Sequence, residues 1–345
     1  MLRGWSRAIA AGLVVGLFLV IASNLRTVRP YIKDAETFYS GSQSYREVLH
    51  FAQEAVQSTD GGALIKTPSE EADRPQVDEA SDATTNAPGN VPADSGLSKM
   101  IVMGALLSED TSWVQSELPA WRNAIYTVDL PPDTTDSPTG YRTPTNRGRE
   151  AMPYLSYIID HYDNLPDINV FLHAHRSGWP TAWHTEGPYH DSVRMLKALR
   201  LEAVQQRGYT NLRCSHAPGC PDEVQPFRQP VAERKAAELA FPYVYSEFFG
   251  TPFSVMEEEI KVVAAPCCAQ FAVTGERIRQ RPREEYERFR LILERLYMDD
   301  DTLGRILEYL WHIIFGMEVV DCPDEVRCAC ELYGRCGIGK GRLGH

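Results

Sequence analysis

The sequence carries no Asn-x-Ser/Thr acceptor, no Gly-x-Ser-x-Gly elbow, no P-loop and no His-Glu-x-x-His. Those gaps argue against an elbow-type serine hydrolase, a P-loop NTPase and a zincin. Positive charge is also short. Its 35 Lys and Arg face 47 Asp and Glu, a formal net charge of -12, which argues against general nucleic-acid binding. Cysteine is missing from the first 213 residues, and no internal repeat is visible. From Ser58 to about Ser98 aromatic residues vanish while Ser, Thr, Asp, Glu, Pro and Gly dominate. Such a stretch cannot bury enough apolar area to offset its ordering entropy, so it reads as a linker.

The N-terminal apolar run, Ala8 to Ala22, falls short of the ~20 residues of a comfortable span. It is long enough for a signal h-region or a short anchor. Arg3 and Arg7 precede it and Arg26, Arg29 and Lys33 follow, so charge does not settle orientation. We expect residues 1–7 to be a cytosolic tail and 8–23 an uncleaved signal anchor. The chain would then be a single-pass type II membrane protein with its bulk in the ER or Golgi lumen. The alternative is secretion after cleavage near Ala22 or Ser23. Residues 24–57 read as a stem with a short helix (Tyr45, Val48, Leu49, Ala52, Val56), 58–98 as linker, 99–336 as the folded domain and 337–345 as a tail.

All eight cysteines lie between Cys214 and Cys336. An even count behind a secretory signal reads as disulfides. Cys214 and Cys220 suit a small loop, and Cys322, Cys328, Cys330 and Cys336 suit a stapled tail. Cys267 and Cys268 are neighbours, which rarely bond each other, so one of them is expected to reach the tail. The tail spacing lacks the paired C-x2-C of a strong zinc signal.

Within the domain, Met100 to Leu107, Ala124 to Val128, Ile168 to Leu172 and Tyr209 to Cys214 read as strands. Pro131 to Asn146 is a long polar loop and a candidate lid. A helix should start near Glu150, because Pro153 is tolerated only in a first turn, and should stop at Asn164 and Pro166. Further helices are expected over Val193–Gln205, Glu276–Leu296 and Leu303–Phe315. Phe227 to Phe253 shows no clear period. Alternating strands and helices predict a doubly wound, mixed α/β sheet.

The chemistry gathers at strand ends. The run Ile168 to Leu172 leads into His173-Ala174-His175-Arg176. Strand alternation puts Phe171, His173 and His175 on one face. Ligands of open α/β sheets sit outside the carboxyl ends of strands. Glu109, Asp110, Asp129 and His173 all fall at such ends. His184, Glu186, His190 and Asp191 follow in a polar loop. On the last expected helix Glu308, Trp311, His312 and Phe315 fall at i, i+3, i+4 and i+7, on one face. They could form a base, a stacking platform and a ligand, or merely a solvated helix side.

The blocks GREAMPYLSYIIDHYDNLPD, VFLHAHR, LRC-x5-C, CCAQFAVTGERI, RPREEYERFR and LEYLWHIIFG resemble the mainly fungal domain-of-unknown-function family 3431, over roughly Ile101 to Cys336. That family implies no activity. The layout of anchor, stem and α/β domain also resembles glycosyltransferases of the GT-A fold, with their nucleotide-diphospho-sugar donors. That resemblance implies a divalent metal, Mn or Mg, near the donor diphosphate. His173-x-His175 stands where the family has Asp-x-Asp, with His312 a late ligand. It places Asp129 near the nucleoside and Arg149 near phosphate, beside Glu150 and Arg176. Gln270 would line the sugar pocket, and Trp311 is a further substrate-binding candidate. Glu308 would be the base, with His175 a second catalytic candidate. Competing readings are a metal-dependent hydrolase, with zinc on the His-x-His end, and a non-catalytic luminal binding domain.

Overall fold

The structure, a computed structural model, describes residues 96–337 apart from 132, 135–136, 231 and 233–234. By internal contacts the chain divides between Thr85 and Asn86, and every described residue belongs to the second unit. The expected cytosolic tail, anchor, stem and most of the linker lie outside the described residues. Among the described residues no helix is long and apolar enough to cross a membrane.

In chain order the elements are β1 (Lys99–Ala105), α1 (Ser112–Glu117), β2 (Arg122–Thr127), β3 (Tyr141–Arg142), α2 (Ala151–His161) and β4 (Ile168–His173). Then come α3 (Ser192–Ala198), α4 (Leu201–Arg207), β5 (Tyr209–Asn211), α5 (Ala236–Phe249), α6 (Phe253–Glu259) and β6 (Phe271–Thr274). Five helices finish the domain: α7 (Gly275–Arg279), α8 (Arg283–Arg295), α9 (Asp300–Glu308), α10 (Trp311–Ile314) and α11 (Glu325–Tyr333). The six strands form one mixed sheet in the order β3-β2-β1-β4-β6-β5. β1, β2, β3 and β4 run parallel, while β6 is antiparallel to both β4 and β5.

Alternation along the strands sorts the core into two layers. Met100, Val102 and Phe171 join the layer that holds Tyr154, Phe271, Leu307 and Trp311. Ile101, Met103, Val170 and Leu172 join the layer on the other face, with Trp113, Leu196 and Leu332. Helices thus cover both faces, which is why the central strands read as unbroken apolar runs rather than as an alternating pattern. Each fully buried large side chain here contributes roughly 1.5–3 kcal/mol.

Gly104 permits one close approach between helix and sheet. A Cβ there would stand 2.5 Å from the Pro153 Cγ, so the first turn of α2 rests directly on β1. Gly104 is also the β1 residue paired in register with His173.

Five expectations change. The expected helix over Val193–Gln205 is two helices, because Arg200 leaves the ladder to donate its N–H to the Leu332 carbonyl at 2.8 Å. The helix over Glu276–Leu296 also divides, since Pro282 cannot continue α7 and instead precedes α8. Leu303–Phe315 divides at Tyr309 and Leu310, whose N–H groups bond three residues back, to Ile306 and Leu307. The unplaced segment over Phe227–Phe253 holds the 14-residue α5, in spite of an internal Pro242. The candidate lid contributes β3, paired with β2, so part of it belongs to the sheet.

The cysteines form four disulfides with no free thiol among the described residues. Cys214 joins Cys328 and Cys220 joins Cys322, in place of the small loop expected between Cys214 and Cys220. Cys330 joins Cys336. Cys267 and Cys268 bond each other, contrary to the expected bridge to the tail.

Candidate functional site

The strand order reverses between β1 and β4: β2 and β3 lie to one side of β1, and β4 to the other. Just beyond the carboxyl ends of such a pair a sheet leaves a crevice, the usual ligand position in open α/β folds. β1 leads there into Leu106–Glu109 and β4 into His173–Arg176.

The β1 loop is held by two carboxylates. Glu109 accepts the Leu106 N–H at 2.7 Å, and Asp129 accepts the Leu107 N–H at 2.8 Å. Asp129 therefore serves as a brace for this loop. Glu109 also faces His175, with 3.5 Å between carboxylate and Nδ1. Asp110 caps the next turn by accepting the Ser112 N–H.

His173 follows Phe171 by strand alternation, so it faces the layer that contains α9. Its ring lies 4.3 Å from that of His184, and His184 lies 6.3 Å from His175. Both His173 and His184 bury an Nε2 that has no hydrogen-bond partner. Burial holds the His173 pKa down to about 4, helped by the nearby His175 and opposed by a backbone hydrogen bond with Cys268. Burial holds His184 down to about 3, with His173 and His175 adding to the effect. Both imidazoles are therefore neutral at physiological pH.

Gln270, just before β6, ties together the backbones of these two histidines. Its Oε1 accepts the His173 N–H at 3.3 Å and its Nε2 donates to the His184 carbonyl at 3.4 Å.

Glu308 closes the other side. One carboxylate oxygen accepts the Cys268 N–H, and the other accepts from Arg305 at 2.8 Å. Desolvation raises its pKa in spite of Arg305 and that N–H. Glu150 precedes α2, and desolvation pushes it up to about 7, with Glu308 adding and Arg149 opposing. Both carboxylates thus have a raised proton affinity, chiefly through desolvation, and Glu308 adds to the shift of Glu150. The backbone around them is strained. Arg149, Cys268 and Ala269 sit at φ values of 54°, 87° and 48°. Such conformations cost roughly 1–3 kcal/mol each for residues other than glycine, and they concentrate at functional sites.

The remaining expected site residues go elsewhere. Arg176 grips Glu117 through two bonds, 2.7 and 2.9 Å, and reaches Asp191 at 2.7 Å, so its charge is already committed. Arg149 is exposed, with Asp301 as a still more exposed partner at 2.5 Å. Such a surface pair contributes little and is readily exchanged for another anion. Trp311 is 1 % exposed and packs on Tyr154, Phe271 and Phe315. It is a core residue, because the break after α9 turns it away from Glu308. His312 is also 1 % exposed, and its Nε2 faces the Val319 carbonyl at 3.2 Å. Among the described residues, the group of three ligand atoms within 4.8 Å of one another is Cys267, Cys268 and Glu308. His173, His175 and His312 form no such group. The two sulfurs are bonded to each other and offer no thiolate.

Sequence reasoning missed two parts of this site. His184 was visible as a loop polar residue, but its pairing with His173 was not. The Cys267-Cys268 dipeptide was visible too, directly before Gln270, without a sign that it would face Glu308.

One family model, that of the protein of unknown function DUF3431, matches residues 101–331. The chain belongs to the DUF3431 family. That match spans the sheet from β1 to α11, including every residue of the crevice just described. No curated protein and no solved structure matches the chain.

Proposed function

We propose that this DUF3431 domain is a glycosyltransferase-like enzyme that takes a sugar from a nucleotide-sugar donor in the crevice beyond β1 and β4. The observation that carries the reading is Glu308. It is a half-buried carboxylate of raised pKa, held by the Cys268 N–H on the face of the sheet toward which His173 points. A direct displacement at the sugar carbon needs a group that takes the acceptor hydroxyl proton as the bond forms. Glu308 has that proton affinity, and Glu150 beside it could receive the proton next.

The donor's leaving diphosphate must also be neutralised. Neutral His173 and His184 cannot do so as cations, and Arg176 is taken. Arg149 can. The unpartnered Nε2 atoms of His173 and His184 suit a divalent ion, and their imidazole chemistry fits a transition metal such as zinc better than magnesium. A bound ion would supply Lewis-acid neutralisation of the diphosphate. His175, oriented by Glu109, stands at the mouth of the same crevice. Four disulfides support an oxidising compartment, in keeping with a luminal, membrane-anchored or secreted chain.

The paired imidazoles favour a second reading, a metal-dependent hydrolase. A thermal-shift screen of the full chain separates the two, because a ligand of the folded state raises the melting temperature by mass action. The panel is nucleoside diphosphates and nucleotide sugars, each with and without manganese or zinc. A shift with one nucleotide class, lost in Arg149→Ala, supports the transferase. A shift with zinc alone, lost in His184→Ala, supports the hydrolase. No shift with any member refutes both.

A further inference from the structure

Three of the four disulfides join distant or tail segments; Cys267–Cys268 joins neighbours. A bridge at a sequence separation of 1 removes almost no loop entropy from the unfolded chain. Its effect must therefore be local, on the conformation of the turn that carries it.

That turn is clamped from several sides. The Cys267 N–H donates to the Pro218 carbonyl at 3.2 Å, and the Pro266 carbonyl accepts from Asn211 at 2.6 Å. Gly219, at φ 122°, presses its backbone so close that a Cβ would stand 2.2 Å from the Ala265 oxygen. Beyond the turn, Gln270 holds His173 and His184. Between these clamps, Cys268 and Ala269 take left-handed conformations that their side chains disfavour. In that conformation the Cys268 N–H points at Glu308.

We propose that the Cys267–Cys268 disulfide is a positioning element, which locks the strained turn so that the Cys268 N–H holds Glu308 in place. The inference concerns the same site as the proposed transferase, and rests on that reading only for the chemical role of Glu308. Its first consequence is redox sensitivity. A thiolate of an external dithiol attacks the half-buried Cys268 sulfur, since Cys267 is fully buried. The mixed disulfide is then displaced by the reagent's second thiol. The reagent leaves as a cyclic disulfide, and the two cysteines are left as thiols. Freed of the bond, Cys268 relaxes toward ordinary dihedrals and its N–H leaves Glu308.

The test needs no substrate, so its outcome is independent of whether a nucleotide binds. In the full chain, two signals are followed: hydrogen exchange of the residue-268 amide, and the carboxyl-carbon resonance of Glu308, assigned by its loss in Glu308→Gln. The comparison is with Cys267→Ser/Cys268→Ser. Exchange at residue 268 should quicken at least tenfold after correction for intrinsic rates, and the Glu308 resonance should move. A variant that merely loosens the fold would quicken exchange broadly and leave that resonance in place. If the double-serine chain fails to fold, Cys267→Ala/Cys268→Ala removes the bond while keeping at residue 268 a Cβ that disfavours the positive φ. Brief dithiol treatment of the natural chain, with alkylation to confirm which cysteines opened, should reproduce the resonance shift, and reoxidation should reverse it. An unchanged amide and an unchanged Glu308 resonance with the bond removed would overturn the proposal.

Discussion

Two long disulfides in this domain are nested, and nesting makes their contributions depend on each other. Cys214–Cys328 encloses Cys220–Cys322, at separations of 114 and 102 residues. In the chain-entropy model, either bridge alone, closing a loop of about 100 residues, stabilises by about 5 kcal/mol. With one in place, the second closes only the short remainder, because the separations differ by 12 residues. A loop of that size is worth about 3 kcal/mol. Replacing either pair by alanine should therefore cost about 3 kcal/mol, and replacing the second pair about 5 kcal/mol more. Cys214 and Cys328 are 0 and 1 % exposed, so alanine there also trims packing, but that loss cancels in the double-mutant cycle. The assay is equilibrium urea unfolding of the natural chain, the two paired variants and the quadruple variant, all without reductant. The coupling should appear as about 2 kcal/mol beyond additivity. Two single costs near 5 kcal/mol that simply add would refute the reasoning. So would costs near zero, which would mean that the unfolded chain is already held together near these positions.

Two further outcomes are expected. Glu150 binds its proton more tightly folded than unfolded, since its pKa rises from 4.5 to about 7. Stability should therefore fall as pH climbs from about 4.5 to about 7, and Glu150→Gln should flatten that decline in a pH series of melting temperatures; an unchanged slope would mean that the carboxyl is hydrated. Gly104→Ala pushes a methyl to 2.5 Å from the Pro153 Cγ, between two rigid elements. It should destabilise by about 1–3 kcal/mol in urea unfolding, and an alanine as stable as glycine would show that α2 can lift from the sheet.

The strands that matter most for the site were legible from local signals alone. β1 and β4 are short apolar runs bounded by polar residues, and that pattern survives in the sheet because both faces are covered. Placing His173 and His175 at a strand end needed only the period of two. β6 was less legible. It appeared as part of an apolar piece from Pro266, and nothing local tells a buried strand to insert antiparallel between β4 and β5. The last helix misled for a physical reason. Helical spacing assigns Glu308, Trp311 and His312 to one face only if the helix continues, and Tyr309 and Leu310 tighten the ladder there. Glu308 stays at the crevice, while Trp311 and His312 enter the core.

The sequence by itself determined the class of the domain, the residue types at the ends of β1, β2 and β4, the family, and the even, late-placed set of cysteines. Those properties are local, written in periodicity, composition and order along the chain. The tertiary structure alone decided which cysteines pair, that Arg176 is consumed by Glu117 and Asp191, and that the Cys268 N–H meets Glu308. Most of these outcomes depend on contacts between distant segments, up to 114 residues apart in sequence. Such contacts follow from how the sheet orders its strands and how the helices pack on it, which no local pattern encodes.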